Sequence, residues 1–251
     1  MSRAHKRYLW NNEAVAGYKT VDGWLILPGG IRVKREAAFM VEDDATFCDL
    51  ATIGASVIIG AGALIGYRAA VGAEAVISRF VCLGEGVQVG KHTVIGKSGD
   101  LDVGANIGSS TSIGSRVVVG RGSRIGDSCI IGDGVTIGKQ VIIRNRAILG
   151  DGVTIADGVH LGSRVNIAPN SHITSTPISI QGPRQLATLV SPTEVQIGML
   201  VLPFTLWFES ERQEAAFRQL GIDGEFAQVY VDILEFMEAH AADFAHLSFG
   251  G

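Results

Sequence analysis

Residues 57–72 read VIIGAGALIGYRAAVG, and residues 128–143 read SCIIGDGVTIGKQVII. Both show an aliphatic residue every six positions, often followed by glycine and preceded, two places earlier, by a small residue or valine. The same step runs from Ile53 through Ile59, Ile65, Val71, Ile77, Leu83, Val89, Ile95, Leu101, Ile107, Ile113, Val119, Ile125, Ile131, Ile137, Ile143, Leu149, Ile155, Leu161 and Ile167 to Ile173. All 21 positions are Ile, Leu or Val, and 15 of them precede a glycine. Stepping back adds Val41 and Phe47, and Arg35 then breaks the series. Six is not a helical period. In a strand, residues two apart share a side, so the aliphatic and the small residue before it point inward and the residue between them points out. The chain must then turn, and the glycine after the aliphatic is expected to take the unusual dihedrals of a tight corner. Strand and corner repeated wind the chain into a prism whose coils hydrogen-bond at roughly 4.8 Å.

Composition supports this and excludes other classes. Residues 41–173 hold 23 of the 33 glycines, one proline (Pro169) and three aromatics, Phe47, Tyr67 and Phe80. With 47% apolar and 18% charged residues the bulk is not disordered. Glycine lacks the three-residue period of collagen. No apolar run reaches the length of a membrane span. The start, MSRAHKRYLW, is basic without the apolar stretch of a signal peptide. Three cysteines make no disulfide framework. A cytoplasmic protein is expected.

The repeat resembles the hexapeptide-repeat, left-handed parallel β-helix family, whose members include many acyltransferases. The resemblance implies three hexads per triangular coil, an exception to the usual right-handed crossover. It gives about seven to eight coils over 41–173 and a length of about 35 Å. It also implies a homotrimer with roughly parallel prism axes and, for an enzyme, acyl transfer from acyl-CoA or an acyl-carrier thioester with a histidine as general base. Two departures matter. No loop interrupts the phase, whereas many family acyltransferases wall their site with such loops. The His-x4-His pair of zinc-binding, carbonic-anhydrase-like members is missing, so no metal site is expected.

Three hexads per coil sort the outward residues into three faces. One carries Ile58, Val76, Val94, Ser112, Ile130, Ile148 and Asn166; the second Thr52, Ala70, Gln88, Asn106, Arg124, Ile142 and His160; the third Leu64, Cys82, Asp100, Val118, Thr136, Thr154 and His172. The first is apolar at Ile58, Val76, Val94, Ile130 and Ile148, which suits an oligomer interface. Cover by the chain's own C-terminal helices is the alternative. His160 and His172 are the candidate catalytic residues, on different faces that neighbouring subunits of a trimer can bring together; His92 sits at a corner. Arg124, Arg144, Arg146 and Arg164 cluster in the last coils, with Arg146 and Arg164 one coil apart. Like charges so close repel unless solvated or bridged, so this corner is a candidate site for a phosphate or carboxylate ligand.

Outside the repeat, residues 1–40 carry net charge +4 and are expected to cap the first coil. Residues 174–251 carry −7 and read as strands followed by two helices, about 205–220 and 223–245, with Thr205 as N-cap and Gly221 as stop. The segment EVQIGMLVLPFTLWFESERQEAAFRQLG (194–221) is similar to tails of uncharacterised hexapeptide-repeat proteins of bacteria, phages and prophages. No basic stripe points to nucleic acid, and no membrane partner is expected. The expected function is a trimeric binding or scaffold protein without classical catalytic machinery. The alternatives are an acyltransferase acting at subunit interfaces, and a small-ligand sequestering protein of phage or prophage origin.

Overall fold

The computed structural model describes residues 7–9, 20–27, 30–34, 40–42, 44–174, 176, 179–191 and 193–246. Arg35, Pro28 and Gly29 lie outside the described residues. Every hexad makes one short strand, and strands one coil apart pair in parallel, as Val76 with Val94 and Ile77 with Ile95. Three sheets of eight parallel strands result, one per face of a left-handed prism. The apolar face runs from Met40–Val41 to Asn166–Ile167. The Arg124 face runs from Arg32–Lys34 to His160–Leu161, and the Thr136 face from Thr46–Cys48 to His172–Ile173. At the N-terminal end, Arg7–Leu9 pairs antiparallel with Thr46–Cys48, and Trp24–Ile26 pairs antiparallel with Arg32–Lys34.

All the repeat aliphatics from Ile53 to Ile173 lie at or below 5% exposure and form one continuous core. Each contributes roughly 1.5–3 kcal/mol by leaving water. The polar residues that replace small inward ones are satisfied through the ladder. The hydroxyls of Thr93, Thr111 and Ser123 donate to the carbonyls of Gly108, Gly126 and Gly138 at 2.7, 2.8 and 2.7 Å. The Cys129 thiol donates likewise to the Arg144 carbonyl at 3.3 Å.

The corners correct one expectation. The glycine after each aliphatic does not take the left-handed conformation. That falls two positions later: every sixth position from Leu50 to Asn170 has φ between 54° and 72°, and only seven of these positions hold glycine. The backbone N–H of each such residue from Arg68 onward is pinned to the preceding coil; Ser110 donates to the Lys91 carbonyl at 2.8 Å and Ser128 to Ser109 at 2.9 Å. The glycine after the aliphatic is needed for close approach instead. A Cβ on Gly90 would lie 2.5 Å from the Gly108 carbonyl carbon and the Ser109 nitrogen. Carboxylates exploit the same closeness: Asp127 Oδ1 accepts from the Ser109 N–H at 2.7 Å, and Asp133 Oδ1 from Ser115 at 2.7 Å.

The C-terminal region has a core of its own, centred on Trp207, Tyr230, Leu234 and Met237. The expected strands form a four-stranded antiparallel sheet (Ser179–Gln181, Leu186–Ser191, Glu194–Ile197, Leu200–Pro203). The first expected helix is two: α1, Phe204–Trp207, and α2, Ser210–Gln219. Thr205 is not the N-cap; Pro203 holds that place without a side-chain cap. Gly221, with φ +67°, does stop α2, and the Ile222 N–H returns to the Phe217 carbonyl. Helix α3, Gly224–His246, buries Tyr230, Ile233, Leu234, Met237 and Ala241. Among the described residues no helix is long and apolar enough to cross a membrane.

Two outcomes follow from the packing. Gly90→Ala is expected to destabilise by about 1–3 kcal/mol, because backbone, not a movable side chain, blocks the new methyl. Ser110→Gly, relieving a left-handed residue, is expected to be neutral or to stabilise by up to about 1 kcal/mol. Urea unfolding followed by circular dichroism measures both. Burial pushes the Cys129 thiol pKa up. Since the thiolate is the reactive form, Cys129 should stay unalkylated by iodoacetamide at pH 8 in the folded protein and react on unfolding, as read by mass spectrometry.

Candidate functional site

The edge between the Arg124 face and the apolar face differs from the other two edges. Its left-handed residues are Ser56, Glu74, His92, Ser110, Ser128, Arg146 and Arg164, none of them glycine, so all seven corner glycines lie on the other edges. A left-handed L-residue costs roughly 1–2 kcal/mol. This edge therefore keeps side chains where glycine would fit the backbone better.

The side chains form a graded series. Glu74 and His92 stand one coil apart, and His92 Nδ1 lies 3.2 Å from Glu74 Oε2. Both are more than half exposed. A carboxylate on Nδ1 favours the proton on that nitrogen, so in the neutral ring Nε2 is the acceptor. Beside this pair an open groove of about 370 Å³ runs along the Arg124 face, lined by the columns Ala70, Gln88, Asn106 and Gly72, Gly90, Gly108. Asn106 Nδ2 donates to Gln88 Oε1 at 3.3 Å between adjacent coils.

Register carries the first column on through Arg124 and Ile142 to His160. The glycine column continues through Gly126 to Arg144, and Arg146 and Arg164 follow on the edge itself. Four of the expected site residues, Arg124, Arg144, Arg146 and His160, thus lie along the C-terminal extension of the groove, all exposed. Among the described residues none of these three arginines has a carboxylate within ion-pair distance. Arg164 also borders a second cleft against the C-terminal sheet. His172 is elsewhere: it lies on the Thr136 face with Nδ1 3.1 Å from the Asn170 carbonyl, so one chain does not bring His160 and His172 together. Sequence reading placed His92 at a corner but missed Glu74. The available signal was their separation of three hexads, one full coil, at equivalent corner positions.

The apolar face is open. Met40, Val94, Ile130 and Ile148 are 51%, 41%, 53% and 42% exposed, so the C-terminal helices do not cover them. Among the described residues no three His, Cys, Asp or Glu side chains gather as a metal site.

Residues 63–181 match the family model described as the GMPPB C-terminal domain. No curated protein matches the chain. Among solved structures, the UDP-N-acetylglucosamine O-acyltransferase (LpxA) of Moraxella catarrhalis is similar at 17% identity over 62% of this chain and 71% of that one, with a TM-score of 0.44. A hexapeptide transferase family protein of Anaplasma phagocytophilum is 14% identical over 87% and 92%, with a TM-score of 0.37. The UDP-N-acetylglucosamine acyltransferase of Francisella novicida is 18% identical over 76% and 75%, with a TM-score of 0.34. The unbroken hexad phase and the three stacks of eight parallel strands make residues 41–173 a left-handed parallel β-helix of hexapeptide repeats, and the matched domain model lies mostly within it.

Proposed function

We propose that the protein assembles through its apolar prism face into a homotrimer and serves as a binding or scaffold protein whose ligands sit at the subunit edges. The observation that carries this is the aliphatic strip of Ile58, Val76, Val94, Ile130 and Ile148 beside Met40, exposed at Met40, Val94, Ile130 and Ile148 and half-buried at Ile58 and Val76. Charged and polar residues dominate the end of the neighbouring Arg124 face, so the apolar strip is a property of one face and not of the prism. Packing it against another copy removes it from water at about 25 cal/mol per Å². Rings arise naturally when such a contact repeats head to tail around an axis. The arginines at the groove's end, Arg124, Arg144 and Arg146, would attract a phosphate or carboxylate at that edge. Light scattering on the eluting protein should return about three times the 26.5 kDa chain mass. Ile130→Asp with Ile148→Asp should give a folded monomer; a wild-type monomer at tens of micromolar would contradict the proposal.

A second reading is acyl transfer, favoured by the His92–Glu74 pair next to a groove. His92 Nε2 would take the proton of an acceptor hydroxyl or amine as the acceptor attacks the thioester carbonyl; the new bond forms at that carbon, the C–S bond breaks, and the thiol leaves with the proton. Glu74 would orient the imidazole. Thiol release from acetyl-CoA in the presence of sugar amines and hydroxyls tests this. His92→Ala should lower the rate at least 100-fold and Glu74→Gln by about 10-fold. His160→Ala and His172→Ala separate this pair from the other histidines: a loss confined to them would move the base off His92.

A further inference from the structure

The cleft that Arg164 shares with the C-terminal sheet has features of a built site that neither the trimer nor the groove uses. It lies between the prism's last corner on the His92 edge (Arg164, Val165, Asn166) and the sheet residues Arg184, Gln185 and Gln196. Its volume is about 50 Å³. A water needs roughly 10–15 Å³ of such space, so the cleft admits one small oxyanion and excludes a sugar or a nucleotide base.

Its polar groups are arranged unevenly. Gln196 is only 3% exposed. Its Nε2 donates to the Gly198 carbonyl at 2.8 Å, which fixes the amide orientation. Among the described residues its Oε1 is buried and accepts no hydrogen bond. A buried amide oxygen without a donor costs roughly 1–3 kcal/mol, so the position calls for a donor from outside the chain. The turn that carries Arg184 is held rigid: the Tyr230 hydroxyl accepts from the Arg184 N–H at 3.0 Å and from the Gln185 N–H, and donates to the Gln185 carbonyl at 2.9 Å. The Arg184 guanidinium lies over the Phe226 ring, 5.1 Å from its centroid, and 3.6 Å from Asp223 Oδ2. That carboxylate neutralises it in part. Arg164 has no carboxylate at ion-pair distance among the described residues.

Two guanidiniums want an anion, and the orphaned amide oxygen wants an O–H. Sulfate and a simple carboxylate meet the first demand and fail the second. Phosphate near neutral pH meets both, because it keeps a P–OH while carrying charge. We propose that this cleft is a hydrogen-phosphate site, with Arg164 and Arg184 binding the oxygens and Gln196 Oε1 accepting from the P–OH. The phosphate is either the free ion or the terminal group of a monoester whose remainder stays outside the cleft. The proposal holds whichever reading of the prism edge is right.

The test uses the full-length protein at pH 7 and constant ionic strength, with inorganic phosphate as the probe, sulfate as the control and glycerol 3-phosphate as the monoester arm. Affinity is read by calorimetric titration and by the shift in melting temperature. Phosphate should bind at least 10-fold more tightly than sulfate. Gln196→Leu should remove that preference without lowering the melting temperature of the ligand-free protein, and Arg184→Ala should weaken phosphate at least 10-fold. Arg212→Ala, a substitution on α2 away from the cleft where the guanidinium pairs with Glu209, should leave phosphate binding unchanged. Tighter binding of the monoester identifies a phosphorylated ligand, and tighter inorganic phosphate identifies the free ion. Equal response to sulfate and phosphate, no response to either, or full binding by Gln196→Leu overturns the proposal.

Discussion

The hydrogen-bond ladder between successive coils governs everything else in this molecule. Each strand is too short to hold a neighbour by itself, and the coils are held because every inner strand pairs on both sides, as Ala70–Val71 pairs with Thr52–Ile53 before it and Gln88–Val89 after it. One residue inserted would turn the next aliphatic outward and an outward residue inward. A phase kept from Val41 to Ile173 is therefore a requirement of the ladder and not a compositional habit.

The ladder also accounts for both kinds of corner residue. It brings the backbone of one coil so near the next that Gly90, Gly96 and Gly108 have no room for a Cβ. Two residues on, it binds the N–H of a left-handed residue firmly enough that Ser, Glu, His and Arg can stand where glycine would be easiest. Those tolerated exceptions are where chemistry can be placed. On the His92 edge they put an acid–base pair near the start of the groove and guanidiniums near its end, at the repeat distance of the coil.

The fold was legible because its determining positions are buried on every coil, and burial leaves only Ile, Leu or Val there. The faces followed from the same arithmetic, down to the register of Ile130 with Ile148 and of Arg124 with Ile142. The role of glycine was half legible. Periodicity located it, but close approach and positive φ leave the same residue in a sequence, and only the backbone separates them. The Glu74–His92 pair was readable in principle from its spacing, yet it needed the knowledge that corner side chains one coil apart point the same way. In the C-terminal region no period exists. There α1 and α2 part between Trp207 and Ser210, and the Gln196 cleft depends on a turn tied to the distant Tyr230, which local pattern cannot supply.

The proposed function rests on what the prism shows to its surroundings: an apolar face exposed at Val94, Ile130 and Ile148 among the described residues, next to an edge set with charge. Assembly on that face would carry the edge of one copy toward a face of the next and convert an open groove into a walled one. The most direct measurement is solvent paramagnetic relaxation of the isoleucine methyls in the native protein, with a soluble gadolinium probe. The account predicts that the δ1 methyls of Ile130 and Ile148 are shielded to nearly the level of inward Ile131. Broadening as strong as that of a freely exposed methyl would contradict it.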